Sequence, residues 1–408
     1  MSRARSPLAR GLGIVAIVAG ALALSPVAAE TVKVGVVASY SGPGAEVGRD
    51  LDRGMALYRK LHPEAFGGHT VELVKRDSRL PNGEAAKTAV QELVTRERVQ
   101  LLAGFSYTPD AIASAPLATQ AKTPMLLLQA ATAWLPQLSP YIARLSFTMW
   151  QSGFPMGRYA AEKLQCRTAA VGYTDYPPGK DSLEAFRMAF EAAGGKITDA
   201  IPMGGAVEVP DFTPFLQRVK DARPDCLYAF IPAGNHTSSF LKTVGHLGLK
   251  DAGIKLLGPG ELVMDDKLHL LDASAAGLVT MAHYSSFYDR PANAAFVAAW
   301  KKEYGEDSVP NFTAVAGYDA MALIAHLVKT LDGRIDGERA MQLIRGWRYD
   351  SPRGPILIDP ETRDIVQDEH VQVLVADGGR LSIEVLDRIP QVKDPCKVHK
   401  VGRCGEAR

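Results

Sequence analysis

At 408 residues, 47% of them hydrophobic, the chain exceeds what one core usually supports, so two globular lobes are expected. Its formal charge of +1 gives no basic excess of the kind that nucleic acid or an anionic membrane surface would require.

Residues 1–29 carry Arg3, Arg5 and Arg10, an apolar run over 11–24, and the small residues Val27, Ala28 and Ala29. This is the pattern of a secretory signal cleaved after Ala29, the alternative being an N-terminal anchor. The apolar run is shorter than the ~20 residues a membrane span needs, and no cysteine near the cleavage point offers a lipid attachment site. A periplasmic location is therefore expected. Loss of the three arginines leaves 43 basic against 45 acidic side chains, a formal charge of −2.

A β-branched run at 31–38 leads into the glycine-punctuated turn SGPG, which is how an α/β domain presents a small-ligand site. Two readings compete for that turn: a dinucleotide on a Rossmann-type loop, or a solute in the cleft of an exported binding protein. Further strands are predicted at 69–77, 99–103 and 124–128. Between them, Ala86, Val90, Leu93 and Val94 form the apolar stripe of a helix over 83–96. The alternation restarts with strands at 168–173, 196–203, 225–231, 254–259 and 277–282, giving two similar α/β lobes with parallel sheets. Helical periodicity at 293–304, 312–331 and 337–346 then gives way to GPILIDP, HVQVLVAD and RLSIEVL, which alternate like antiparallel strands. Such a late return implies that the chain recrosses between lobes through several hinge strands.

The four cysteines form no CxxC pair that would suggest zinc or redox chemistry. Cys166 stands just before the predicted strand 168–173, and Cys226 at the start of 225–231, just before LYAFI. If those strands are neighbours, a Cys166–Cys226 bridge closes their N-terminal edge, two buried thiols being the alternative. A Cys396–Cys404 bridge is expected to close the tail.

Catalytic signatures are absent: there is no HExxH, GxSxG or Walker loop, and His236 and His246 are too far apart to be adjacent ligands on one helix face. No metal or cofactor is expected. The dinucleotide reading rests on Gly42, Gly44 and Gly48 with Asp77 at the end of the second strand. Pro43 removes an N–H where donors are wanted, and Asp77 follows the glycines later than the usual ~20 residues. Export would also separate the chain from the nicotinamide pool.

The runs SGPGAEVG, LLAGFSYTPDAIASAPLA, MLLLQAAT, FTAVAGYDAMALI and SPRGPILIDPETRDIV, in that order, resemble landmarks of the Leu/Ile/Val-binding protein family. The resemblance covers nearly the whole mature chain. It implies a type I periplasmic receptor of an ABC importer, with two Rossmann-like lobes on three crossing strands that close like a clam. The lobes are expected at 30–148 plus 284–351 and at 149–283 plus 352–395, with a tail at 396–408.

By resemblance, the ligand carboxylate lies on Thr108 in GFSYT and on Ala130 and Thr132 in QAAT. Backbone amides at a helix N-terminus with two hydroxyls suit an anion without a buried counter-charge. Thr108 is also expected to cap a helix over 109–119. The places that hold an amino acid's ammonium in the family, a tyrosine and a glutamate, carry Ala233 and Gly260 here, with Glu261 one position late. Aromatic residues gather at the predicted cleft instead: Tyr40, Phe105, Tyr107, Trp150 and Tyr176. Ser41, Ser106, Ala131 and Tyr284 complete the candidate set. The expected ligand is a small carboxylate with an apolar or aromatic body, delivered by a monomeric receptor to an inner-membrane permease. A periplasmic sensor module is the alternative, and an NAD(P)-binding enzyme ranks third.

Overall fold

The computed structural model describes residues 1, 29–79, 83–205, 211–233 and 235–406; residues 2–28 of the expected export signal lie outside them. The first β/α series runs β1 (Thr31–Ala38), α1 (Ala45–Leu61), β2 (Thr70–Asp77), α2 (Gly83–Glu92), β3 (Leu101–Gly104), α3 (Thr108–Ala121), β4 (Met125–Leu127) and β5 (Ile142–Arg144). A second series follows: α4 (Met149–Glu162), β6 (Thr168–Tyr173), α5 (Pro177–Ala192), β7 (Lys196–Pro202), α6 (Thr213–Ala222), β8 (Cys226–Phe230), α7 (Asn235–Leu247), β9 (Lys255–Pro259) and β10 (Val279–Ala282). The chain ends with α8 (Pro291–Tyr304), α9 (Phe312–Thr330), α10 (Gly337–Ile344), β11 (Arg348–Ser351), β12 (Gly354–Ile358), β13 (Ile365–Asp377), β14 (Arg380–Val392) and the short α11 (Pro395–Val398).

These strands build two sheets. The first is parallel throughout, in the order β2-β1-β3-β4-β5. In the second, β7-β6-β8-β9-β10 are parallel, and β11 to β14 add an antiparallel extension through the β10–β13 pairing. The expected α/β architecture of two lobes with parallel sheets is what forms. Two short strands, β5 and β11, escape sequence reading because charged residues, Arg144 in one and Arg348 and Asp350 in the other, interrupt the apolar run that marks the equally short β3 and β4. The helix expected over 83–96 is α-helical only to Glu92, and its last turn widens into a π-turn over Leu93–Glu97.

Strand β1 shows why the first sheet is covered on both faces. Val34 and Val36 pack with Leu51 and Met55 of α1, whereas Val37, pointing the other way, packs with Val90 of α2 and Ala111 of α3. Helix α9 returns from the C-terminal third to complete the α1 face, and it is buried along nearly its whole length, as an all-round apolar helix must be. The two helices touch backbone to backbone. A Cβ on Gly54 would sit 2.0 Å from the Ala314 carbonyl oxygen, and one on Gly317 would sit 2.2 Å from that of Leu51.

The chain thus passes between lobes after β5, after β10 and around β11 to β13. Arg353, fully buried, ties the last passage to the first: it pairs with Asp319 of α9 at 2.8 Å and donates to the carbonyls of Leu145 at 2.6 Å and Ser146 at 3.1 Å. Both expected disulfides are present. Cys166–Cys226 joins the N-terminal edges of β6 and β8 with a Cα–Cα distance of 6.0 Å, and Cys396–Cys404 closes the tail at 5.8 Å. Among the described residues, no helix is long and apolar enough to cross a membrane.

Candidate functional site

A small cavity lies where loops at the C-terminal ends of parallel strands from both lobes meet, the usual ligand position in such sheets. The first lobe contributes Val47 of α1, Ser106, Tyr107 and Thr108 after β3, Gln129, Ala130 and Ala131 after β4, and Phe147 after β5. The second contributes Tyr176 and Pro178 at the start of α5, Phe230, Pro232 and Ala233 after β8, and Glu261 after β9. Its volume, about 40 Å³, corresponds to a few waters, since one water needs roughly 10–15 Å³.

The first-lobe wall is an anion-ready surface. Gly104 (φ 109°) and Phe105 (φ 64°) turn the chain sharply out of β3. Helix α3 then starts at Thr108 with no side chain capping it. Pro109 has no N–H, so the amides without a partner within the helix are those of Thr108 and Asp110, at the positive end of its dipole. Thr108 is therefore the first helical residue, and the capping position expected for it belongs to Tyr107. Its hydroxyl instead meets that of Thr132, 2.9 Å away. Ser106 accepts the Ser39 amide at 3.0 Å, which fixes this loop to the end of β1.

Behind the loop after β4 sits a residue that sequence reading missed. Arg144, with no exposed surface, donates to the carbonyls of Ala130 (2.8 Å), Thr132 (2.5 Å) and Phe147 (3.0 Å), and pairs with Asp364 at 2.8 Å. Burial lowers its guanidinium only to about 10, so it stays charged at neutral pH. One buried cation thereby sets the shape of the loop that carries Ala130 to Thr132. Its only signal was an arginine set in the apolar run YIARLSF.

The candidates divide between the cavity and its surroundings. Ser106, Tyr107, Thr108, Ala130, Ala131, Tyr176, Ala233 and Glu261 line it. Ala130 does so without a free amide, because its N–H is donated to the Phe105 carbonyl at 3.0 Å. Thr132 stands behind Thr108. The left-handed turn at Phe105 sends that ring into the core beside α2 and α3, and Trp150 packs against Ala133, Ala185 and both tail cysteines. Tyr284 lines a second, deeper cavity.

Tyr40 and Ser41 lie outside the lining. The Tyr40 amide and the Ser41 hydroxyl donate to Asp77 at 2.8 and 2.6 Å, and the Tyr40 hydroxyl donates to Asp52 at 3.0 Å. Asp77 thus closes the SGPG turn, whereas the dinucleotide reading had assigned it to the cofactor. Gly44 has its own role: a Cβ there would lie 2.7 Å from the Tyr107 hydroxyl. Val47, Gln129, Phe147, Pro178, Phe230 and Pro232 were not anticipated. Phe147 follows a buried strand and Phe230 ends one, so both read from sequence as core.

The second-lobe wall is aromatic and uncharged. The Tyr176 and Phe230 rings stack with centroids 6.1 Å apart, and opposite them Phe147 of the first lobe stacks on His283 at 4.8 Å. Among the described lining residues no base is present, and Glu261 is the only carboxylic acid. Burial pushes its carboxyl up to about 8, which keeps it protonated at neutral pH.

A model of the periplasmic binding protein family matches residues 31–379. The chain belongs to that family. This periplasmic binding protein is 37% identical over 385 residues to Leu/Ile/Val-binding protein homolog 6 of Brucella abortus (strain 2308), covering 94% of this chain and 98% of that one. It is 40% identical, with a TM-score of 0.84, to the solute-binding protein of an ABC transporter from Rhodopseudomonas palustris BisB5, solved in complex with 3,4-dihydroxybenzoic acid; 90% of this chain and 99% of that chain are covered. A second such protein, from R. palustris HaA2 in complex with p-hydroxybenzoic acid, is 37% identical with a TM-score of 0.85, over 90% and 98% of the two chains. Periplasmic binding proteins of this kind are solute receptors of ABC transporters and not enzymes, which sets the dinucleotide reading aside.

Proposed function

We propose that this periplasmic binding protein captures an aromatic carboxylic acid between its lobes and passes it to an inner-membrane ABC permease. The observation that carries the proposal is the asymmetry of the cavity: an uncapped α3 N-terminus with a buried hydroxyl pair on one side, and stacked rings with no ionised partner on the other. An amino acid's ammonium against such a wall would first have to ionise Glu261, whose carboxyl burial raises to about 8, before it had a counter-charge, whereas an uncharged ring asks nothing of that residue. Relatives solved with dihydroxybenzoic and hydroxybenzoic acids support the same reading.

In this mechanism Thr108 and the α3 amides take the carboxylate, while Tyr107, Phe147, Tyr176 and Phe230 enclose the ring. Closure is driven because the ligand touches both lobes at once; a ligand bound to one lobe alone would not shift the equilibrium. The proposed lobes are residues 30–148 plus 284–351 and 149–283 plus 352–395, with 396–408 as a tail. The proposed mature form is a periplasmic monomer beginning after Ala29.

A thermal-shift and calorimetric panel tests this, since a ligand that binds only the folded form raises its stability by mass action. Benzoate and hydroxybenzoates are expected to raise Tm and give a measurable Kd, with leucine and valine doing neither. Tight leucine or valine binding without any ring acid would overturn the proposal.

A further inference from the structure

Beyond Glu261 and Phe147 lies a second cavity of about 10 Å³, close to the space of a single water. Both residues line both cavities, so the two spaces share a wall. The annex has a mixed lining, in which Met281, Ala282 and Phe312 stand beside the polar side chains of Ser152, His283, Tyr284 and Glu369. The Tyr284 hydroxyl, His283 Nε2 and both carboxyl oxygens of Glu369 are buried there without a hydrogen-bond partner. Buried polar atoms are nearly always paired. Unpartnered atoms from three residues around one void therefore mark a place where a polar group is to be supplied.

The charge pattern says what kind of group. Glu261 and Glu369 both face the space, and each is deeply buried. Arg353, the nearby cation, is already committed to Asp319, Gln367 and two backbone carbonyls. With Arg353 committed, no free cation is left among the described lining residues to hold an anion. A neutral group that can both donate and accept meets a neutral carboxyl and an orphan hydroxyl equally well. A ring hydroxyl has that chemistry; a methyl group or hydrogen leaves the atoms unpaired.

We propose that the distal hydroxyl of a hydroxylated aromatic acid sits at the mouth of the annex, bonded by Glu261, with the one water the annex can hold linking it to Glu369 and Tyr284. This rests on the aromatic-acid reading above. The annex makes Glu261 the residue that separates hydroxybenzoates from unsubstituted or methylated ring acids, because leaving buried polar groups unpaired is how a site rejects an analogue that lacks a hydroxyl.

Calorimetric titration of benzoate, 4-methylbenzoate and 4-hydroxybenzoate into the wild type, Glu261→Leu, Glu261→Gln and Glu369→Gln tests the assignment. The wild type is expected to favour 4-hydroxybenzoate over 4-methylbenzoate by tenfold or more. Glu261→Leu should reduce that ratio below about threefold while still binding benzoate, and the two glutamine variants should retain an intermediate ratio. Equal wild-type affinities for the hydroxyl and methyl compounds, or a preference unchanged in Glu261→Leu, would overturn the annex and leave the aromatic-acid reading standing. Absence of binding for all three acids in the wild type would overturn the reading beneath it.

Discussion

The hydroxyls of Thr108 and Thr132 lie 2.9 Å apart, both fully buried, and only Thr108 reaches the cavity. Each hydroxyl can donate once. If Thr132 gives its proton to Thr108, the Thr108 proton is free to point at an anion, so Thr132 orients the donor without touching the ligand.

Thr108→Val should therefore weaken ring-acid binding more than Thr132→Val. A hydrogen bond to a charged group contributes about 1.5–3 kcal/mol, which corresponds to a rise in Kd of roughly tenfold to a hundredfold for Thr108→Val. A rise of only a few-fold is expected for Thr132→Val. Calorimetry decides the order, and an unchanged Kd for Thr108→Val would move the carboxylate away from α3.

Arg144 predicts a stability effect. Removing its guanidinium strips three loop carbonyls of their donor and leaves Asp364 with Lys397 as its remaining cation. Breaking a buried pair by deleting one partner costs about 3–5 kcal/mol. Urea unfolding of Arg144→Met should show a loss near the lower end of that range, because Lys397 remains. Arg144→Lys should rescue little, since one ammonium cannot reproduce a fork that serves four acceptors. Stability within 1 kcal/mol of wild type in Arg144→Met would show that the loop holds itself.

The two disulfides should contribute unequally. In the chain-entropy account the contribution grows with loop length, giving about 4 kcal/mol for the 60-residue separation of Cys166–Cys226 and about 2 kcal/mol for the 8-residue separation of Cys396–Cys404. Double serine variants of each pair, compared by denaturant midpoint, check the ranking. A larger loss from the tail pair would point to packing, since Cys396 and Cys404 sit against Trp150.

How far the site was legible depended on what each feature needs. Strands such as 31–38 and 168–173 announce themselves by runs of β-branched and apolar residues, and strand order then places the ligand loops at the correct sheet edge. Which side chain of a loop faces the cleft is set by single dihedrals. Phe105 and Tyr107 stand two apart in GFSYT, yet the positive φ at Phe105 buries one and frees the other for the cavity. Pairings over long separations are equally silent: nothing local ties Arg144 to Asp364, 220 residues on. The annex is a third case, because Glu261 and Glu369 meet only once β9 and β13 both flank β10.

Glu261 also carries a pH signature. Burial raises its carboxyl from an unfolded value near 4.5 to about 8, and Tyr176, Tyr228 and Glu369 are the titratable neighbours that feel its charge. Below pH 4.5 it is protonated in both states, and its contribution to stability is complete. Between pH 4.5 and 8 the folded protein holds a proton that the unfolded chain releases, so that contribution declines as pH rises and is lost above 8. Asp265 and Asp394, both raised by burial to about 7, slope the same way, so comparison with a variant is needed to isolate Glu261. Glu261→Gln should therefore match the wild type in Tm near pH 5 and exceed it progressively toward pH 9. Ring-acid affinity should follow, because ionisation above pH 8 places a second negative charge in the cleft of the wild type and none in Glu261→Gln. A wild-type minus variant Tm difference that stays constant from pH 5 to 9 would mean that Glu261 does not titrate in this window, and that the second-lobe wall carries a permanent charge.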